Sequence, residues 1–322
     1  MKTLDFLLFI FLMSFVILIP TKIVTISYSF PNNSSNNSVG LTSSDSKIQH
    51  IVIIVMENRG YPEVIDNPNA TYQNQLAKDY AIASKYYAVK QESLPNYISM
   101  IAGAPLIKEN MDPNETKPLS QKNLIDLFEA KKITWKSYNQ DMPGVCDLTD
   151  FGESNYTVHH NPFVYFSDIR NNKERCNNVV ELDQFSQDLK NGNLPNYSFV
   201  VPNDFNNTHD TTVAYGDHWL STFLPEIINS PVFNSTVVFI TYDEGQENST
   251  EGFGNGIYAV NGGHLPMIIV SPLVKSGFRS PEQYSHYSLL STVEKIFNTG
   301  NLGRGDTSST GKPMMDLFRS SL

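Results

Sequence analysis

A serine, a small set of acids and amides, and two histidines are the residues that could do chemistry in this chain. Three short apolar runs end directly in polar groups. Ile51–Met56 runs into Glu57 and Asn58. Thr236–Tyr242 runs into Asp243 and Glu244. Tyr197–Val201 runs into Pro202, Asn203 and Asp204, followed by His209 and Asp210. One acid after a strand is ordinarily a cap or turn residue. Three such ends in one chain point to a site, because ligands of open α/β sheets bind beyond the carboxyl ends of the strands. Ser93 lies two residues before Pro95 in Gln91–Gly103 (QESLPNYISMIAG). Proline suits the first turn of a helix, so Ser93 falls at or just before a helix N-terminus. A plain N-cap is the simpler role for that serine. The chemical role is a hydroxyl facing free N–H groups and the positive end of the helix dipole, a setting that binds phosphate and favours an ionised oxygen.

A carboxylate pair, an amide oxygen and a serine oxygen form an all-oxygen donor set. Such a set suits one hard divalent cation, with Mg, Mn and Ca not distinguished. A cation on Ser93 would make it nucleophilic without a neighbouring base. Of the seven histidines, His160 and His209 gain weight from their positions. His160 follows His159 and precedes an aromatic run, and His209 follows a strand end. His50, His218 and His286 read as structural.

The elements around these residues read as α/β. Strands are expected at Ile51–Met56, Ile133–Tyr138, Tyr197–Val201, Thr236–Tyr242 and Pro266–Ser271. Helices are expected at Tyr72–Ser84, Pro95–Ala102, Leu124–Lys131, Val179–Leu189, Trp219–Ile228 and Ser288–Phe297. Continuous apolar strands alternating with helices indicate a three-layer α/β/α sandwich with a mostly parallel central sheet, over residues 48–322.

The N-terminus is different. Lys2 precedes an unbroken apolar run, Phe6 to Ile19, so residues 1–30 read as a signal peptide or an uncleaved signal anchor. Residues 31–47 are polar and of low complexity, and read as a flexible tether. The remainder is then secreted or otherwise extracytoplasmic, with membrane attachment available through the N-terminal segment. Asn-x-Ser/Thr acceptors at Asn33, Asn69, Asn114, Asn155, Asn234 and Asn248 fit an exported glycoprotein, and Asn206 heads another close to His209. The two cysteines, Cys146 and Cys176, suggest one disulfide. A net charge of −10 argues against a general nucleic-acid-binding face.

These segments, taken in order, resemble the phosphoesterase family that includes bacterial acid phosphatases and phosphatidylcholine-type phospholipases C, within the alkaline phosphatase-like superfamily. The resemblance is carried by His50–Asn58 (HIVIIVMEN), Ser93–Gly103, Ile133–Pro143 (ITWKSYNQDMP), His160–Phe166 (HNPFVYF), Leu194–Asp210 (LPNYSFVVPNDFNNTHD), Gly216–Leu220 (GDHWL), Val237–Glu244 (VVFITYDE) and Pro266–Pro272 with His286–Glu294. It implies an alkaline phosphatase-like fold and a metal-dependent phosphoric ester hydrolase acting through phosphoserine. Glu57, Asn58, Asp243 and Glu244 would hold one metal ion, with Ser93 completing its shell. His160 and His209 would bind phosphoryl oxygens or protonate the leaving group. His159, Asp210 and His264 are further candidate phosphate contacts, although several members carry another residue where this chain has His264. Some members have Asp-Asp where this chain has Asp243-Glu244; both supply carboxylates. A phosphate monoester is the first expected substrate and a diester, including a phospholipid, the second. A non-catalytic surface glycoprotein that keeps the fold is the alternative from another class.

Overall fold

A computed structural model describes residues 48–152, 155–245 and 263–319. The expected signal or anchor segment, the tether, and the acceptors Asn33 and Asn248 lie outside the described residues. Among the described residues, no helix is long and apolar enough to cross a membrane.

Nine strands form one sheet: β1 His50–Met56, β2 Ala81–Tyr87, β3 Trp135–Asn139, β4 Val179–Glu181, β5 Tyr197–Val201, β6 Thr236–Tyr242, β7 His264–Leu265, β8 Met267–Val270 and β9 Phe278–Ser285. The order is β4-β3-β5-β1-β6-β8-β2-β7, with β9 also paired to β2. β4, β3, β5, β1 and β6 run parallel. β8 is antiparallel to β6 and β2, and β7 is antiparallel to β2. The centre is apolar on both faces: β5 and β6 are buried throughout and β1 from Ile51 onward. Continuous Val/Ile runs are what a parallel sheet covered on both sides requires. The covering helices form two groups. Ser93–Ala102 packs with Leu124–Ala130 and His286–Phe297, while Thr71–Asp79 packs with Val213–Ile228. The three-layer sandwich with a mostly parallel sheet is therefore present.

Two expected helices are corrected. The helix expected over Tyr72–Ser84 stops at Asp79, and Ala81–Tyr87 is a strand. Its small and aromatic residues carry no decisive period, and pairing to β8 and β9 settles the backbone. The helix expected over Val179–Leu189 opens with the short strand β4 and is helical only over Asp183–Lys190. β9 contains Pro281, which ordinarily argues against a strand. Its pairing to β2 shifts register between Ala83/Ser280 and Lys85/Gln283, and Pro281 sits in that irregularity, where a missing N–H is tolerated.

The Cys146–Cys176 disulfide forms as expected. It ties the turn after β3 to the short helix Lys173–Cys176 beside the edge of the sheet, with Cys146 buried in the core and Cys176 packed against it.

Candidate active site

Register brings the first two acids together. β1 and β6 are parallel neighbours with Met56 opposite Tyr242, so Glu57 and Asp243 are the next pair beyond the ladder. The Asp243 N–H still donates to Met56 O at 3.0 Å. Both side chains are fully buried, and Glu244 is buried beside them. Asn58 turns the chain with φ 57°, and its N–H donates to Asp243 Oδ1 at 3.1 Å.

Ser93 is the first residue of the helix Ser93–Ala102, every residue of which is buried. Its hydroxyl donates to Glu57 Oε2 at 3.1 Å. One turn later the Tyr97 hydroxyl donates to Glu57 Oε1 at 2.6 Å. Residues four apart share a helix face, so one carboxylate receives both. Burial above all, and then the Glu57 charge, push the Tyr97 hydroxyl well up, which keeps it a donor. The loop before the serine is locked: Asn96 Oδ1 accepts from the Val89 and Lys90 N–H groups, and Asn96 Nδ2 donates to Lys90 O and Glu92 O. The expected row of free N–H groups is shortened, because Asn110 Oδ1 takes the Leu94 N–H at 2.9 Å and Pro95 has none.

His160 closes the other side. Its Nε2 lies 3.4 Å from Glu57 Oε1 and its Nδ1 3.2 Å from Asp204 Oδ1, and its ring stacks on Tyr97. Burial opposes ionisation of Asp204, but the hydrogen bond and charge of His160 and the Thr157 hydroxyl bring its pKa down to about 2. The His209 ring centroid is 5.8 Å from that of His160, and its Nδ1 is 2.7 Å from Asp210 Oδ1. His160 is buried and His209 is exposed.

The histidine expected to pack or cap does more. His286 is buried, with Nε2 2.6 Å from Asp243 O and Nδ1 2.9 Å from the Tyr86 hydroxyl. Burial lowers its pKa to about 4, so the neutral ring donates from Nε2 to a carbonyl that can only accept. It thereby braces the backbone of Asp243.

Two candidate phosphate contacts have other partners. The His159 ring nitrogen is 2.9 Å from an Asp112 carboxylate oxygen. His264 stacks on Tyr61 at 4.3 Å and on Tyr87 at 5.1 Å, and its Nε2 bonds Ser84 O at 2.7 Å. Asp210 stays at the site, on His209.

The donor set fits a hard cation. Burial first, and then the charge of Asp243, push the Glu57 carboxyl well up, and burial raises Asp243 too. Asp243 Oδ2 is buried and has no hydrogen-bond partner among the described residues. Two buried carboxylates with one oxygen left unpaired are costly unless a positive group lies between them. A second group, Asp204, His209 and Asp210, places ligand-type atoms within 4.8 Å of one another, with two of the three residues exposed.

Asp204, Tyr97 and His286 are the residues that sequence reasoning left out of the site. Tyr97 carried a signal, its i+4 spacing from Ser93. Asp204 stood among the strand-end acids but had no feature to separate it from a turn residue.

Comparison with known proteins gives the family and the fold. A probable acid phosphatase of Kluyveromyces lactis is 29% identical over 262 residues, which are 79% of this chain and 59% of that one. A phosphatidylinositol-3-phosphatase of Mycobacterium tuberculosis is 28% identical over 282 residues, 87% of this chain and 86% of that one. The chain spans 55–65% of the length of the fungal acid phosphatases it matches. In fold, a crystal structure of a protein in the alkaline phosphatase superfamily from Vibrio parahaemolyticus superposes with a TM-score of 0.53 at 15% identity, over 82% of this chain and 71% of that one. The model of the Phosphoesterase family matches residues 64–300, and the chain belongs to that family.

Proposed function

We propose that this protein hydrolyses phosphoric esters, monoesters foremost, with Ser93 as nucleophile and one divalent cation. The observation that carries the proposal is the convergence of the Ser93 hydroxyl, Glu57 and Asp243 in one buried cluster, with His160 and His209 on its far side.

A cation held by Glu57, Asn58, Ser93, Asp243 and Glu244 would favour the ionised Ser93 oxygen and offset charge on the phosphoryl group. Ser93 Oγ attacks phosphorus, and the new O–P bond forms as the bond to the leaving oxygen breaks. His209, exposed and oriented by Asp210, gives that oxygen its proton. His160, with both ring nitrogens directed at carboxylates, is suited to fixing Glu57 and Asp204 rather than to binding a phosphoryl oxygen or exchanging a proton. Water then attacks the phosphoserine, His209 takes its proton, and phosphate leaves as Ser93 Oγ is released. Positioning and electrostatic stabilisation supply most of the acceleration in phosphoryl transfer.

The phosphatase names of the relatives favour a monoester. Export is proposed from the N-terminal apolar run and the disulfide. Asn69 and Asn234 are exposed and open to glycosylation, whereas the amide nitrogens of Asn114 and Asn206 are engaged, with Leu148 O at 3.3 Å and Gln140 at 2.8 Å.

The test is hydrolysis of p-nitrophenyl phosphate and its bis-ester with and without chelator. Chelator-sensitive turnover of the monoester is expected. Preference for the bis-ester would move the assignment to a phosphodiesterase or phospholipase C. No turnover of either with metal restored would leave a fold without the activity.

A further inference from the structure

Two residues beside the site, Asn58 at φ 57° and Thr208 at φ 83°, hold left-handed backbone conformations. For a β-branched threonine this is a true outlier, so the surroundings must enforce it. The two share one restraint. The Arg59 guanidinium donates from Nη1 to Asn58 O at 2.6 Å, and from Nη2 to Thr208 O at 2.9 Å and Thr211 O at 2.7 Å. Asn58 is on the cation side of the pocket. Thr208 and Thr211 bracket His209 and Asp210 on the other side. One planar fork therefore spans the pocket by gripping only backbone.

Other ties hold the near half of that loop without Arg59. The Glu57 N–H donates to Asn207 O at 2.8 Å, and Thr208 Oγ1 donates to Glu57 O at 2.6 Å. Gly216 leaves room for the loop, since a Cβ there would lie 2.4 Å from Thr208 Cγ2. The far half is tied within the loop, by Thr211 Oγ1 to Phe205 O and by the Asp210 N–H to Asp204 O at 3.0 Å; what the guanidinium adds is its link to Asn58.

We infer that Arg59 is a positioning residue that sets the distance between the cation ligands and His209, through the shape of its guanidinium rather than its charge alone. The inference rests on the proposed phosphoryl transfer, which is what that distance serves. A lysine at 59 keeps the charge but supplies a point donor that cannot reproduce a rigid fork on three carbonyls.

The experiment compares Arg59→Lys and Arg59→Gln with wild type in two independent readouts, with Arg175→Gln as a control. Arg175 also engages three residues through its guanidinium, but through the carboxylates of Asp126, Glu129 and Asp168 and away from the site. With p-nitrophenyl phosphate and saturating cation, kcat should fall at least about tenfold in both Arg59 variants while KM stays within about threefold. Hydrogen exchange at residues 207–211 should quicken at least about tenfold in both, and β1 and β6 should stay protected. The control should change neither readout. Wild-type kcat in Arg59→Lys would overturn the inference, as would lost kcat with unchanged exchange, which would place Arg59 on the substrate instead. If neither variant folds, Arg59 determines the fold and the inference is equally overturned. If the wild type turns over no phosphate ester, the proposed function fails, and the exchange measurement alone decides whether Arg59 braces the loop.

Discussion

Glu57 and Asp243 meet because two parallel strands end in register, and neither carboxylate has water to shield it from the other. Without a cation the buried pair is a source of instability, which the cation of the proposed function would offset. Asp243→Asn should therefore have opposite effects in two conditions. In chelator, losing one charge removes repulsion, and the variant should melt at or above wild type. With cation present, wild type should gain stability by mass action, about 2.7 kcal/mol at a hundred times Kd, and the variant should gain little of it. Thermal melts with and without Mg or Mn read both effects. An equal cation-induced shift in both proteins would remove Asp243 from the ligand set. For Ser93→Ala, kcat should drop by at least about a thousandfold, since no other nucleophile shares that position. Circular dichroism should remain that of the wild type, because the change removes one hydroxyl. Retained turnover would exclude Ser93 as the attacking group.

At the scale of elements, the helix Ser93–Ala102 is held at its C-terminus by the segment that follows the last long helix. Gly103 adopts the left-handed conformation, the Gly305 N–H donates to Gly103 O at 2.8 Å, and Arg304 Nε donates to Ala102 O at 2.5 Å. Glu294 of the helix His286–Phe297 lies in the same region, and burial, followed by the charge of Asp306, raises its pKa from 4.5 to about 8. A carboxyl whose pKa is raised by folding binds its proton more tightly in the native state. Stability from this group is thus greatest at low pH, falls as pH rises from 4.5 to about 8, and is level above that. Glu294→Gln should cancel this slope, so its melting temperature relative to wild type should climb between pH 5 and pH 8 (about the two pKa values). A constant difference across that range would show that Glu294 ionises freely. Elements of this kind were unevenly legible in the sequence. Short strands buried at every position, such as β5 (YSFVV) and β6 (TVVFITY), match their expected limits. Ala81–Tyr87 and Val179–Glu181 were read as helix because short segments of mixed character take their conformation from the neighbour they pair with. The residues at strand ends and at the helix start were legible too, since their position follows from the end of an apolar run. His286 was not, because its role depends on a carbonyl 43 residues away in sequence. The packing of His264 between Tyr61 and Tyr87 was not legible either, because it is tertiary.

For the molecule as a whole, the sheet supplies the rigid frame and the insertion closed by Cys146–Cys176 supplies one wall of the site, since His160 lies within it. The bridge closes a loop with a sequence separation of 30, for which constraint of the unfolded chain is worth about 2–4 kcal/mol. His160, however, is fixed by Asp204, Glu57 and Tyr97, none of which depends on the bridge. Replacing both cysteines with serine should lower denaturant stability by about 2–4 kcal/mol while kcat stays within about threefold under native conditions. A collapse of kcat at temperatures where the variant is still folded would show that the bridge, not the carboxylates, places His160.

The full burial of the Ser93–Ala102 helix has a consequence for how this protein can change over generations. With no solvent-facing position, almost any substitution along those ten residues disturbs the core as well as the nucleophile. New substrate ranges must therefore arise elsewhere, in the loops that carry Phe151 and Phe205, which are exposed. Random libraries selected for a new ester should return accepted changes in those loops and an almost unvaried stretch from Ser93 to Ala102. The same serine could then be kept while the family around it diversifies.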